Sequence, residues 1–358
     1  MIRICLLADS SSIHTVRWCR HFTSVGYHIE VISFKNVSIE GIKVHYLDVG
    51  PIDVAGGNWR VLMHIGKAKK LVKQINPDVL HAHYATSYGI VGALVKFKPY
   101  IVTALGSDVL ISARRSKIYR ALVKFVFRRA SHVTAMAPHM QKVMEEMGVP
   151  ASKISVVMFG IDPAVFNRNG RNVSKDKFII TSTRNFEPVY NHQLLFDALV
   201  LVKDKIKNLH VNMIGQGTQR EFFQNFVRGN DLGDKIHFLG KVTQQEIAVT
   251  LRQTHLFITV ALSDGNCISL NEAMACGTFS IAGDIEATRQ WITEGENGFL
   301  VPLDKPAYLA EKIMHVYGNY DALIGKATAV NDTLIAQKAV WSVNMQQMDN
   351  IYKNLVKK

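Results

Sequence analysis

Cysteine is scarce in this chain: there are four in 358 residues, Cys5, Cys19, Cys267 and Cys276. None forms a CxxC pair or falls at a metal-ligand spacing, which excludes a disulfide frame or a zinc ribbon and fits free thiols in a reducing compartment. Long apolar runs are missing too. No stretch approaches the roughly 18 to 20 residues of a spanning helix, and the start, MIRICLLADSS, turns polar too soon for a signal peptide, so a cytoplasmic protein is expected. Acidic residues are sparse in the first half only. Residues 1–165 hold 21 Lys and Arg against 10 Asp and Glu, whereas the remainder holds 21 against 19, so nearly all of the net charge of +13 sits early in the chain. The first half therefore expects an acidic partner. No aromatic-basic platform or recognisable nucleic-acid module accompanies that charge, which sets nucleic acid aside.

What is present is a core. A hydrophobic content of 48% supports two ordinary domains. Strand-like runs over residues 2–8, 29–34, 78–84, 100–105, 132–137 and 154–160 alternate with helical segments, and a fresh series follows at 178–183, 210–214, 235–239, 256–262 and 279–282. Alternation of this kind predicts parallel sheets, hence an α/β chain of two Rossmann-like halves with the ligand in the cleft between them. The polar stretch NRNGRNVSKDK, residues 167–177, is the expected linker.

The chain is organised around residues 263–277, SDGNCISLNEAMACG. An apolar strand pattern precedes them and an Ala- and Met-rich helix pattern follows. Ser269 and Glu272 have the spacing of a capping box, which would account for both residues. The same helix start is also an anion site, because its free amides and the positive end of the helix dipole suit a phosphate.

This stretch resembles the Glu-x7-Glu signature of the family-4 retaining glycosyltransferases of the GT-B fold. Glu272 stands at the second carboxylate, which in the family holds the ribose of a nucleotide-sugar. Asp264 stands where the first Glu contacts the donor hexose, one methylene shorter. Gly265, Asn266 and the amides of Cys267, Ile268 and Ser269 fall where the family grips hexose and pyrophosphate, with Cys267 in place of a usual Gly. Arg184 matches the Arg that meets the diphosphate, a task for which a guanidinium is suited because it bonds two oxygens at once. A Lys that relatives carry soon afterwards is replaced by Glu187, Val189, Tyr190 and Asn191, so Tyr190 and Asn191 become candidate hydrogen-bonding partners. Gly215 and Gly217 match the nucleotide-side loop, and Lys241 and Val242 the loop that holds the base.

In the first half the resemblance is weaker. Serines replace a Gly-rich loop after the first strand, where Ser11 and His14 are candidates to line the acceptor side; Ser12 capping the next helix is the alternative reading. His81 and His83 point the same way on a strand, but a metal is set aside because no third ligand follows at a suitable spacing. His83, at the strand's carboxyl end, is the acceptor-side candidate. Leu105 stands where many relatives have a His. Asp108 either orients an acceptor hydroxyl or caps its loop. From Arg114 to Arg129 seven basic and no acidic residues interleave with apolar ones, giving either a solvated helix face or a surface for anionic lipid headgroups.

The likeness implies domains at 1–165 and 166–340, with a last helix at 341–358 returning to the first. It implies transfer of a hexose-type sugar from a nucleoside-diphosphate-sugar to a glycan or lipid-linked hydroxyl, with retention, no metal or other cofactor, and no enzymic nucleophile. The enzyme would sit peripherally at the inner face of a membrane. Two alternatives are a nucleotide-sugar epimerase of the same architecture and a non-catalytic partner subunit that binds donor without turnover.

Overall fold

A computed structural model describes residues 1–50 and 59–357. The chain separates into two compact units, Met1–Val157 with Met345–Lys358, and Met158–Asn344. The irregular stretch expected as a linker, 167–177, belongs to the second unit. It is pinned there by Arg168 on Asp332 and by Arg171, whose guanidinium donates to the carbonyls of Leu251, Arg252, Thr254 and Cys276.

The first unit holds a seven-stranded parallel sheet of β1 (Arg3–Leu7), β2 (His28–Ser33), β3 (Lys43–Tyr46), β4 (Val79–His83), β5 (Tyr100–Ala104), β6 (His132–Ala135) and β7 (Ile154–Val156), in the order β3-β2-β1-β4-β5-β6-β7. β4 and β5 are buried along their whole length, as expected of continuous apolar runs with helices on both faces. β3 is an edge strand of partly exposed residues, KVHY, and was not apparent in the sequence pattern.

The second unit repeats the plan with six parallel strands: β8 (Phe178–Ser182), β9 (Leu209–Ile214), β10 (Ile236–Gly240), β11 (Leu256–Thr259), β12 (Phe279–Gly283) and β13 (Gly298–Val301). Their order is β10-β9-β8-β11-β12-β13. In both sheets the winding reverses beside the first strand, between β1 and β4 and between β8 and β11. Ligands of open α/β sheets bind at the carboxyl ends of strands at such a reversal.

The helix Trp341–Val356 carries Tyr352 into the core of the first unit. Trp18 Nε1 donates to the Tyr352 hydroxyl at 3.1 Å, and that hydroxyl lies 2.6 Å from His81 Nδ1. His81 Nε2 meets Thr103 Oγ1 at 2.7 Å. Both ring nitrogens of His81 thus have partners, and burial lowers its pKa, so it is a satisfied core histidine. Among the described residues, no helix is long and apolar enough to cross a membrane.

Candidate functional site

Arg184 follows β8 and the loop 263–267 follows β11, so the winding reversal of the second sheet brings them together. Arg184 Nη2 donates to Asp264 Oδ2 at 2.5 Å and Nη1 to Ser269 Oγ at 3.0 Å. The guanidinium carbon lies 4.3 Å from the centre of the Tyr190 ring, a cation-π contact. The side chains of Arg184 and Asp264 are only 12% and 16% exposed, so the pair is shielded without being sealed. Burial works against the guanidinium's charge, but Asp264, Cys267 and Tyr190 together raise its pKa above the ordinary value. Arg184 Nε is buried with no hydrogen-bond partner among the described residues, leaving one donor uncommitted.

The helix Ile268–Ala275 begins with Cys267 as its N-cap, and no side chain caps it. The expected capping box is therefore not formed: Ser269 lies inside the first turn and its hydroxyl accepts from Arg184 instead. Glu272 is buried at 8% exposure on the same helix. The Ile268 amide, expected at the donor, donates to the Asn266 carbonyl at 2.8 Å and is engaged within the loop. Asn266 is likewise a joint: Oδ1 accepts from Trp291 Nε1 at 3.0 Å and Nδ2 donates to the Phe159 carbonyl at 3.2 Å. Gly265 is buried. The Cys267 thiol is 3.6 Å from Ser269 Oγ, and burial raises its pKa, so it stays protonated.

The backbone of Arg184 is held by glycine. Gly215 and Gly217 have φ of +147° and +152°, and a Cβ on them would lie 2.5 Å from the carbonyl oxygens of Arg184 and Phe186, closer than real contacts allow. The Gly-x-Gly thus lets two loops touch, and their backbones bond: the Phe186 amide donates to the Gln216 carbonyl at 2.8 Å. Glu187, which stands in the region of the missing Lys, accepts from the Thr218 amide and hydroxyl at 3.0 and 2.7 Å. Asn191 has φ of +52° and donates to the Leu303 carbonyl at 3.0 Å, so it shapes a turn. His192 was not apparent as a site residue. It is 2% exposed, its Nε2 donates to the Asn185 carbonyl at 2.9 Å, and burial lowers its pKa to about 4. Lys241 is exposed and Val242 half-buried just beyond β10.

In the first unit the candidates follow β1, β4 and β5. The Ser11 amide and hydroxyl both bond Asp9 Oδ1, at 2.8 and 2.6 Å, and Ser12 occupies the N-cap of Ile13–Ser24 without a side-chain bond. His14 is half-buried. His83 is 3% exposed and lies edge-on to Trp18 and His81, at 4.8 and 4.9 Å between ring centres. Burial, with His14 adding to it, lowers its pKa to about 3, so it is neutral. Asp108 is completely buried and accepts from the amides of Ala85, Leu105, Gly106 and Val109 at 2.7 to 3.2 Å. This is the geometry of the loop-capping reading. Despite these bonds, burial leaves its pKa raised. Among the described residues, no three His, Cys, Asp or Glu side chains gather as a metal would require.

Residues 3–137 match the family described as glycosyl transferase 4-like, and residues 166–324 match glycosyl transferases group 1. The chain belongs to the group 1 glycosyltransferases. This glycosyltransferase is 24% identical over 361 residues to an uncharacterized glycosyltransferase of Methanocaldococcus jannaschii, with 96% of this chain and 94% of that protein covered. It is 28% identical over 303 residues to the phosphatidyl-myo-inositol mannosyltransferase of Mycobacterium tuberculosis, covering 81% and 77%. Among solved structures, HepE of Anabaena in complex with UDP and glucose superposes with a TM-score of 0.82 at 17% identity, over 99% of this chain and 100% of that one, which shows a shared GT-B fold.

Proposed function

We propose that this glycosyltransferase moves a hexose-type sugar, with retention of configuration, from a nucleoside-diphosphate-sugar to a hydroxyl of a glycan or lipid-linked acceptor. One observation carries this reading: a shielded guanidinium, Arg184, bonded to Ser269 in the first turn of a helix that no side chain caps. As the glycosidic bond breaks, negative charge grows on the leaving diphosphate, so fixed cations and helix dipoles stabilise the transition state more than the ground state. Asp264 and Glu272 orient the hexose and ribose hydroxyls, while Lys241 and Val242 face the base. The donor phosphate, rather than an enzyme nucleophile, assists deprotonation of the acceptor. With Arg184 and the helix start as the positive charge, turnover proceeds without a metal, and activity unchanged by a chelator is expected.

The UDP and glucose of HepE favour a UDP-hexose donor, and the mycobacterial enzyme's name favours an acceptor with a lipid anchor. Ile118, 65% exposed, stands beside exposed Arg114, Arg115 and Lys117, a combination suited to anionic headgroups at about 1 kcal/mol per basic residue near the surface. Thermal shift across nucleotide-sugars should reveal one stabilising donor, because ligand bound only to the folded state raises stability by mass action. Loss of that shift in Glu272→Ala with folding intact supports the site; an unchanged shift leaves Glu272 a structural role. Co-sedimentation with anionic vesicles at low and high salt tests the membrane surface, and no association at low salt removes it.

A further inference from the structure

Within the second unit, at the amino-terminal ends of the interior strands β8, β9 and β11, lies a cavity of about 720 Å3. That is the opposite end of the strands from Arg184, and the volume suits a small molecule. Its wall is aromatic: the Phe178 ring centre is 5.3 Å from His255 and 5.1 Å from Tyr317. Asn208 contributes a buried Oδ1 with no hydrogen-bond partner among the described residues, an expensive arrangement unless a donor arrives. Lys175 and Lys177 stand exposed at the rim, where Asp321 is the carboxylate among the lining residues and exposed Asp176 lies between the two lysines in the chain. The long helix Pro306–Lys338 breaks at Asn319 (φ −129°, ψ 19°), and residues 317–322 around the break form one side of the cavity.

The same break touches the donor helix. Arg171 Nη2 donates to the Tyr320 hydroxyl at 2.7 Å, while its Nη1 donates to the carbonyl of Cys276 at 3.3 Å. Cys276 closes the helix Ile268–Ala275, whose first turn bears Ser269. A wall residue of the cavity is therefore two bonds from the far end of that helix.

We propose that this cavity binds a small phosphate-bearing sugar, and that its occupancy is transmitted to the donor helix through Tyr320 and Arg171. The aromatic wall takes the ring, the two lysines take the phosphate, and Asn208 Oδ1 accepts a ring hydroxyl, which selects a hydroxylated compound over a bare anion. The binding claim stands alone; the transmission claim rests on the donor reading above.

Calorimetry on the intact protein with glucose 6-phosphate, glucose and inorganic phosphate separates the two. Glucose 6-phosphate should bind at least about tenfold more tightly than either fragment. The double variant Lys175→Ala/Lys177→Ala, altered only at exposed positions, should weaken it by at least about fivefold, and bound glucose 6-phosphate should change the affinity for UDP by about fivefold, a typical coupling. Tyr320→Phe, which keeps the ring and loses the link to Arg171, should abolish that change while leaving glucose 6-phosphate binding intact. No heat up to about 10 mM, far above a useful affinity, or binding unaltered in the lysine variant, overturns the site. UDP affinity indifferent to glucose 6-phosphate overturns the transmission. Absence of UDP binding counts instead against the donor reading.

Discussion

The two sheets reverse their winding in the same way, yet the two reversals are built from opposite materials. Beside β8 and β11 the polar groups are charged, 12% to 16% exposed, and bonded to one another across about eighty residues of sequence, as Arg184 is to Asp264 and Ser269. Beside β1 and β4 they are packed or bonded within their own loops: His83 lies edge-on against Trp18 and His81, half-buried Asp9 accepts from the amide and hydroxyl of Ser11, and Asp108, after β5, is taken by backbone amides. One fold thus supplies two equivalent positions, of which the second carries movable charge and the first carries packing. In physical terms, a partly exposed ion pair can exchange its partner for a phosphate, whereas a fully bonded buried group cannot do so without unfolding its loop.

The sharpest way to break this contrast is Arg184→Ala. It should lower transfer by about 10²- to 10³-fold, the usual cost of one transition-state donor, at a temperature where the variant, weakened by an unpaired Asp264, is still fully folded. Arg184→Lys should recover only part, since an ammonium bonds as a point charge. Steady-state kinetics with matched melting curves decide it, and wild-type-like turnover would remove Arg184 from the chemistry. The opposite signature is expected of Asp108→Ala. Four amides lose their acceptor, so stability should fall by about 2 to 4 kcal/mol, read by urea unfolding of variant and parent. If activity fell while stability held, Asp108 would move from scaffold to site.

Gly217→Ala tests how the two loops of the second crevice depend on each other. Its Cβ would meet the Phe186 carbonyl at 2.5 Å, so the Arg184 loop must shift. The donor KM should rise by about tenfold or more, since displacements of an ångström in a positioned group commonly cost that much or more. An unchanged KM would show that Arg184 is held by other means.

A pH series compares the halves through their buried histidines. His83 and His192 titrate at about 3 and about 4 in the folded chain, below the 6.5 of an exposed imidazole, because burial disfavours the charged form. The unfolded chain therefore binds more protons between those values. Stability should fall as pH drops below 6.5, by up to about 1.4 kcal/mol per pH unit per histidine, until about pH 4 for His192 and about pH 3 for His83. His83→Gln and His192→Gln should each flatten this slope in urea titrations, and an unaltered slope would assign it elsewhere. The smallest effect belongs to Tyr190→Ala: loss of a cation-π contact of about 0.5 to 1 kcal/mol should raise the donor KM by about two- to fivefold, with Tyr190→Phe near the parent.

How much of this was legible in the sequence follows from how local each feature is. The alternation of strand and helix and the two parallel sheets lie in short windows with their own periodicity, whereas Arg184 and the cluster from Asp264 to Glu272 stood out through their resemblance to the family-4 signature. The short edge strand β3 was missed because partly exposed residues give little pattern. The Ser-x-x-Glu spacing suggested a capping box, but spacing cannot reveal a guanidinium arriving from 85 residues away. The role of Gly-x-Gly was undecidable for the same reason: its necessity comes from the carbonyls of Arg184 and Phe186, which the fold brings within contact. His192 and the helix break at Asn319 carried no local signal, since each matters only through partners distant in the chain.

Tyr352 has one more implication, for biosynthesis. The core of the first unit includes Met345, Met348 and Tyr352, all at 0% exposure, so it is unfinished until the ribosome has made the whole of the second unit and released these residues. Throughout that interval Trp18 and His81 border an open seam, the kind of surface that chaperones recognise. A stalled or clipped chain would therefore betray itself in its amino half, far from the lesion.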